Sequence, residues 1–335
     1  MEIPPYKGKP TLYLDQNILD LFVKSKLIDF RKVITDSYQI IYSDETLNEI
    51  KRSVGYESLF LDVLCSLNAF HIQIKVEQPN FVITNQALIS NSNPYEEFEA
   101  YNSNTSDSEA LIKSSLQSSF KFSGGLKGLS LSDIHENQIS IFNEYLDSHV
   151  DLLDSLPLEL REEFISNASA MKEQYRDILK TTEITLKENI IDERNWNGLK
   201  NYRDAVGIGP KELNNIDGPD VLEKIWQLYK SKPPYSDMNL DIHDFFFIKN
   251  NFIFPDLPLH NHQKVTAIYR MLDTIGYYPD SNINKERRFI ASMSDNSHAA
   301  MASFCDHLMS RDMNFIKKVS AAYEFLRIPT IIYHL

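Results

Sequence analysis

Ser294-Asp295-Asn296-Ser297-His298-Ala299-Ala300-Met301-Ala302-Ser303-Phe304-Cys305-Asp306-His307-Leu308-Met309-Ser310-Arg311-Asp312-Met313-Asn314-Phe315 is the stretch whose reading decides the fold. Asp295 stands where a helix is expected to begin. Ala299, Ala300, Ala302 and Ser303 then give a small, apolar face that can lie flat on a sheet. Leu308-Met309-Ser310 suits a short buried strand, with Asp312 just beyond it. Phe315, Val319, Ala322, Tyr323 and Leu326 recur at helical spacing, and Ile331-Ile332-Tyr333 reads as a last strand. This order brings Asp295 and Asp312 to one edge of a sheet.

The N-terminus carries the complementary pattern. Residues 11–15, in the run Leu12-Tyr13-Leu14-Asp15-Gln16-Asn17, are a short apolar strand ending in Asp15. Ile18, Leu19, Leu21, Phe22 and Val23 follow as a helix face, and 28–34 as a second short helix. Gln39–Ser43 is strand-like, and a helix over 44–54 carries Glu49, with Ser43 or Asp44 as its cap. A helix near 56–69 precedes a strand at 71–76. Strands alternating with helices imply a parallel, doubly wound α/β sheet.

These two runs resemble the two halves of a PIN domain, the metal-dependent nuclease family. The residues that carry the likeness are Asp15 after the first strand, Thr46-Leu47-Asn48-Glu49-Ile50, the Asp-x-x-His-Ala at Asp295, Cys305-Asp306, and Ser310 to Phe315. The resemblance implies a PIN-like parallel sheet flanked by helices and built from both chain ends. Residues 1–85 would be its N-terminal half and 264–335 its C-terminal half, with a large all-helical insertion over 86–263. It implies a nuclease that hydrolyses phosphodiester bonds with Mg²⁺ or Mn²⁺, held by Asp15, Glu49, Asp295 and Asp312. RNA stands ahead of DNA as substrate, so an endoribonuclease, regulated or used in host defence, is the first expectation. A structure-specific DNA nuclease and a catalytically inactive PIN-like interaction protein are the alternatives.

Physical chemistry gives this set its own rationale. A hard divalent cation takes oxygen ligands and keeps several waters beside a few carboxylates. Asp15 and Asp312 would lie beyond strand ends, the edge where open α/β sheets bind ligands. Carboxylates gathered there repel one another unless a cation neutralises them. Each acid by itself reads as a cap, a turn former or a solvated helix residue. Glu45 competes with Glu49, one turn away on the same face. Asp306 is an extra ligand, or it orients the turn before strand 308–310. Asn17 bonds Asp15 or a phosphate, or caps a helix. His298 orients a carboxylate, contacts phosphate, or is a packing histidine. Arg311 meets phosphate or forms a surface salt bridge.

Between these halves the chain changes character. Asn91-Ser-Asn-Pro-Tyr and Asn102-Ser-Asn-Thr-Ser-Asp-Ser mark turns or caps, and Ser123-Gly124-Gly125 with Gly128 marks a loop. Helical patterns follow near 132–155, 157–192, 195–206, 217–230 and 238–250, and 264–275 returns toward the sheet. His260-Asn261-His262 spells the letters of another nuclease motif but lies in a Pro-rich turn and lacks its context. Val206-Gly207-Ile208-Gly209-Pro210-Lys211 resembles the hairpin of a helix-hairpin-helix DNA-binding element; a plain inter-helix turn is the competing reading.

With 335 residues, 42% hydrophobic and 24% charged, the chain suits one or two globular domains. No apolar run is long enough to span a bilayer, and Met-Glu-Ile-Pro-Pro does not open a signal peptide, so no membrane partner is expected. Cys65 and Cys305 are too few for a disulfide framework, and a reducing cytoplasm is the expectation. The net charge of −13 works against a polyanion partner, because phosphate binding leans on Lys and Arg. Bound cations cancel some of it locally. Arg287, Arg288, Arg311, Lys317 and Lys318, near the proposed site in sequence, could cancel more. A regulatory protein or a second copy of the chain remains a further partner class.

Overall fold

The structure, a computed structural model, describes residues 6–77, 82–106, 108–150, 158–189, 196–251 and 257–335. The order of elements begins β1 (Thr11–Leu14), α1 (Gln16–Val23), α2 (Ile28–Ser37), β2 (Gln39–Ser43), α3 (Asp44–Arg52), α4 (Glu57–Ser66), β3 (Phe70–Glu77) and β4 (Val82–Ser90). Helices α5 (Pro94–Ser106), α6 (Glu109–Ser115), α7 (Gln117–Phe122), α8 (Leu131–Val150), α9 (Leu158–Asn189), α10 (Leu199–Val206), α11 (Pro210–Leu213), α12 (Val221–Lys230), α13 (Ile242–Phe245), α14 (Asn261–Ile275) and α15 (Glu286–Ala302) follow. The chain closes with β5 (His307–Ser310), α16 (Met313–Leu326) and β6 (Ile331–His334). No described helix is long and apolar enough to cross a membrane.

Six strands form one sheet in the order β4-β3-β2-β1-β5-β6. All pairs are parallel except β3 with β4. The first strand is therefore central, and it joins the two chain ends: Tyr13 pairs with Ile41 on one side and Leu308 on the other. Strand alternation sorts the side chains. Leu12, Leu14, Ile40, Tyr42 and Met309 share a core with Ile18, Phe22, Leu47 and Leu64 from α1, α3 and α4. Tyr13 and Ser43 alternate with them and meet His298 of α15. Ala299 and Ala302 are fully buried, as their small size allows at a close helix contact.

The chain divides into two compact units. The first holds the sheet and comprises residues 1–101, 203–281 and 290–335. The second comprises 102–202 and 282–289, and its described residues form helices and turns. Inside the second unit, α8 and α9 pack together. His135 is buried between Ser118 (Nε2–Oγ 3.0 Å) and Glu183 (Nδ1–Oε2 3.3 Å). Gly198, at φ +67°, lies so close to Ser123 that a Cβ would stand 2.4 Å from its carbonyl oxygen. The span expected as one insertion, 86–263, is thus divided: its first and last parts lie in the sheet unit.

Several elements differ from expectation. Asp295 lies inside α15, not at its start. Residues 91–122, Ser- and Asn-rich, fold into three helices; Asn93 caps the first, its Oδ1 accepting from Tyr95 N at 2.9 Å, with Pro94 opening it. The pattern at 238–250 shrinks to the four-residue α13, because Phe247 turns to φ +56°. The expected strand 71–76 gains an antiparallel neighbour, β4, and becomes part of a hairpin. Helical patterns expected at 151–155, 157, 190–192 and 195, and the Met1–Pro5 leader reading, lie outside the described residues.

Asp306 stands at the amino end of β5, beside Thr11. Its Oδ2 accepts from Thr11 N (2.8 Å) and Thr11 Oγ1 (2.9 Å), and its own N–H donates back to Thr11 Oγ1 (2.8 Å). Asp15 is four strand residues further on, about 13 Å away at about 3.3 Å per residue. As a metal ligand beside Asp15, Asp306 is therefore corrected; it clasps β5 to β1. Asp306→Ala should lower unfolding stability by about 1–3 kcal/mol in urea titrations, through the unpaired Thr11 groups, while leaving divalent-cation binding unchanged.

Candidate functional site

Asp15 ends β1 at the carboxyl edge of the parallel strands, and only 4% of it is exposed. Its N–H donates to Met309 O at 3.1 Å, which fixes its backbone on the neighbouring strand. Its Oδ2 accepts from Asn17 Nδ2 and from Ser310 Oγ, each at 2.5 Å. Asn17 also donates to Ser310 Oγ (3.1 Å), and its Oδ1 accepts from Arg311 N (3.0 Å). The Asp15 carboxyl is pushed above its ordinary pKa by burial; His298 and the Ser310 bond pull it down, and Glu49 pushes it up again. Of the roles open to Asn17, the structure shows the bond to Asp15.

His298 is fully buried and fastened on both sides. Burial opposes charge on the ring, but Tyr13, Glu49 and Asp15 outweigh it and hold its pKa well above the ordinary value. Its Nδ1 lies 2.7 Å from the Tyr13 hydroxyl, and its Nε2 lies 2.9 Å from Glu49 Oε2. The Tyr13 hydroxyl also shares a hydrogen bond with Ser43 Oγ at 2.6 Å. Arg52 lies 3.5 Å from both Glu45 and Glu49 and donates to Ser294 Oγ at 2.6 Å. The two glutamates point to different neighbours. Glu49 turns inward to His298 and Asp15, while Glu45 accepts from Asn48 and lines a cleft of about 420 Å³ with Ser43, Asp44, Gln73 and Ser297.

Asp295, on α15 one turn before His298, is half-buried. Burial, then Asp15 and Asp280, drive its carboxyl well above the ordinary range, against Lys318 and His298. Among the described residues no hydrogen-bond donor reaches its carboxylate. Asp312 behaves differently. It is exposed and caps α16, its Oδ1 accepting from Asn314 N (2.8 Å) and Phe315 N (3.1 Å). Its own N–H donates to Ser310 Oγ at 3.0 Å, which keeps it next to the Asp15 pocket. Arg311 is exposed at the same rim.

The structure therefore brings together Asp15, Asn17, Glu49, Asp295 and His298, with Asp312 and Arg311 at the edge and Asp306 at the opposite end of the strands. It adds residues to which the sequence pattern gave no role at the site: Ser310, Tyr13, Asp273 and Asp280. Lys318, read above as a surface cation for phosphate, is fully buried instead, 2.6 Å from Asp273 Oδ1 and 3.1 Å from Asp280 Oδ1. Lys317 pairs with Asp217 at 3.0 Å. The Gly207-Ile208-Gly209-Pro210 turn packs as a joint: Pro210 and Arg203 crowd Gly276, and Arg203 donates to the carbonyls of Asp273 and Thr274. His260 stacks on His262, whose pKa burial lowers to about 4.

Fold and site define an α/β protein with acidic side chains gathered around buried Asp15 at the carboxyl edge of its parallel strands. No family model, no curated protein and no solved structure matches the chain. Among the described residues, no three His, Cys, Asp or Glu side chains form a group ready to hold a metal ion. Mg²⁺ nonetheless binds commonly through one or two carboxylates with water and substrate phosphate as its remaining ligands. Asp15 and Asp295 fit that smaller requirement, being hard oxygen donors that burial and mutual repulsion leave short of positive charge.

A raised folded-state pKa gives a definite sign. The Asp295 carboxyl keeps its proton longer in the folded than in the unfolded chain. Its contribution is fully present below 3.8, the unfolded value, and is lost as pH rises through the folded one. Asp295→Asn should therefore make the metal-free protein more stable than wild type at pH 7.5. The difference should vanish toward pH 4 in urea midpoints measured across that range.

Proposed function

We propose that this chain is a Mg²⁺- or Mn²⁺-dependent nuclease, with RNA ahead of DNA as its substrate and a cytoplasmic setting. The observation that carries the reading is the Asp295 carboxyl beside the strand ends, raised by burial and then by Asp15 and Asp280. The strand order supports it, because β3-β2-β1-β5-β6 is a parallel sheet assembled from both chain ends, as the PIN resemblance implies. A second unit whose described residues form helices and turns fits a regulated enzyme, with a regulatory protein or a second copy as partner. Asp15 and Asp295 would hold the ion, and Glu49 would join them by leaving His298. When bound, such an ion polarises a water and stabilises charge gathering on a phosphate.

The remaining roles belong to the chain. Ser310 and Asn17 orient the Asp15 carboxylate by donating to one of its oxygens. His298, steadied by Tyr13, sets the resting position of Glu49. Asp312 fixes the start of α16 and keeps Ser310 in place. Exposed Arg311 offers a guanidinium to a phosphate approaching the rim. A second reading, a non-catalytic interaction protein, draws on two contacts: Glu49 is tied to His298, and the Asp312 oxygen is engaged as a cap.

Calorimetric titration with Mn²⁺ and cleavage of single-stranded RNA against flapped DNA separate these readings. Wild type should bind Mn²⁺ and cleave RNA faster. Asp15→Asn and Asp295→Asn should stay folded and lose both properties. Ser310→Ala should weaken Mn²⁺ binding about 10-fold, as loss of a ligand-orienting bond does. Asp312→Asn should keep the fold, since Asn caps as well as Asp. Absence of Mn²⁺ binding in folded wild type would leave the interaction-protein reading; faster cleavage of flapped DNA would reassign the substrate.

A further inference from the structure

At the carboxyl edge of the sheet, β3 runs on past the end of β2. Ser43 closes β2 opposite Ile72, and β3 continues to Glu77. A cleft of about 420 Å³ lies there, within the range of roughly 300–1,000 Å³ usual for small-molecule sites. Ile72 and Ile74 of β3 and Met301 of α15 give it apolar walls. Asp44 and Glu45, in the first turn of α3, and exposed Gln73 give it polar ones. Asp44 Oδ1 lies 2.9 Å from His71 Nε2, and Glu45 Oε1 meets Asn48 Nδ2 (3.1 Å) and Arg52 (3.5 Å). Each acid meets these neighbours through one oxygen, and a carboxylate has a second to offer.

The cleft backs onto the proposed site. Its Ser43 Oγ shares a hydrogen bond with the Tyr13 hydroxyl, which lies 2.7 Å from His298 Nδ1. Ser297, on its wall, precedes His298. Glu45 stands one turn, about 6 Å, before Glu49 along α3. A strand whose phosphate reached Asp15 would bring a neighbouring nucleotide to this cleft. The two acids repel phosphate, so the base end of that nucleotide is the part that fits. Apolar walls suit the faces of its ring, and the polar groups suit its Watson–Crick edge, the edge by which unpaired RNA bases are read. Guanine matches the set. Its N1–H and N2–H₂ donors lie side by side, as a carboxylate requires, and its O6 accepts from the Gln73 amide. Adenine and cytosine place a ring nitrogen acceptor beside their amino group, which a carboxylate repels; uracil has one N–H between two carbonyls. We propose that this cleft is a guanine subsite that selects the base next to the cleaved phosphate, read by Asp44 and Gln73.

This inference rests on the nuclease reading above, and a metal-free measurement separates the two. Saturation-transfer NMR on the full chain in EDTA detects nucleosides that bind with only millimolar affinity. Guanosine should bind at least about 10-fold tighter than adenosine, cytidine or uridine, the discrimination of one good two-point base contact. Asp44 is exposed, so Asp44→Asn should fold; it exchanges an acceptor for a donor and should abolish the preference. Gln73→Ala should weaken guanosine binding about 5-fold, the loss of one hydrogen bond, and leave the other three nucleosides unchanged. With Mn²⁺ added, RNA fragments should end at guanines in wild type and at all four bases in Asp44→Asn. Equal binding of the four nucleosides, binding of none, or binding of spermidine in place of guanosine overturns the subsite. Cleavage in wild type without regard to guanine does the same and leaves the nuclease standing. A guanosine preference in a chain that cleaves no RNA overturns the nuclease and leaves the cleft a guanine-binding site.

Discussion

The site depends on carboxylates being brought out of water at the end of the central strand. Asp15 cannot retreat to solvent, because its backbone is bonded to Met309 and both neighbours of its strand are in place. Asp295 reaches the same region from α15, and Glu49 from α3. Like charges crowded into a poorly solvated space raise one another's pKa values, and any positive charge nearby becomes stabilising. His298 and Lys318 are the cations the chain itself supplies. Burial lowers the pKa of both, but the acids around them outweigh it and raise it above the ordinary value. The polar network around the strand end follows from that one constraint.

Chain topology explains why this crowding needs both termini. Placing β1 between β2 and β5 sets Asp15 beside Ser310, although 295 positions separate them. The same pairing sets Thr11 beside Asp306 at the other end of the strands. Two aspartates close in sequence, Asp306 and Asp312, therefore have different tasks, since a four-residue strand carries them to opposite edges. Asp306 joins strands, whereas Asp312 starts a helix and stays near the pocket.

Much of the sheet was legible because buried strands are short apolar runs with a polar residue at the end. Gln39–Ser43 matches its expected bounds, and β1, β5 and β6 differ by one residue at an end. The start of α15 was not legible. Ser294-Asp295 has the look of a cap, yet Ser294 and Ser297 lie mid-helix and return their hydroxyls to Ile290 and Met293 carbonyls. Asp15, Glu49 and Asp295 were found by their place after strands and on flanking helices. Asp273, Asp280 and the inward turn of Lys318 were not, because their relation is purely spatial. A lysine beside apolar positions on a helix ordinarily carries its charge out to solvent, and only the packing of α14 against α16 closes that route.

This burial bears on how the site would exchange its resting contacts for working ones. Glu49 has one oxygen on His298 and the other facing Arg52, so it lies between two cations at the pocket wall. The arrangement satisfies a carboxylate without needing a metal ion. It also leaves Glu49 a short reorientation from Asp15, with which it already interacts. An ion entering beside Asp15 would compete with His298 for the same oxygen. Because Tyr13 and Ser43 hold the other side of the ring, the imidazole has little freedom to follow Glu49 inward. Under the metal-centre proposal, the tie to His298 would resist an incoming cation, and its strength would set how readily Glu49 joins Asp15 and Asp295.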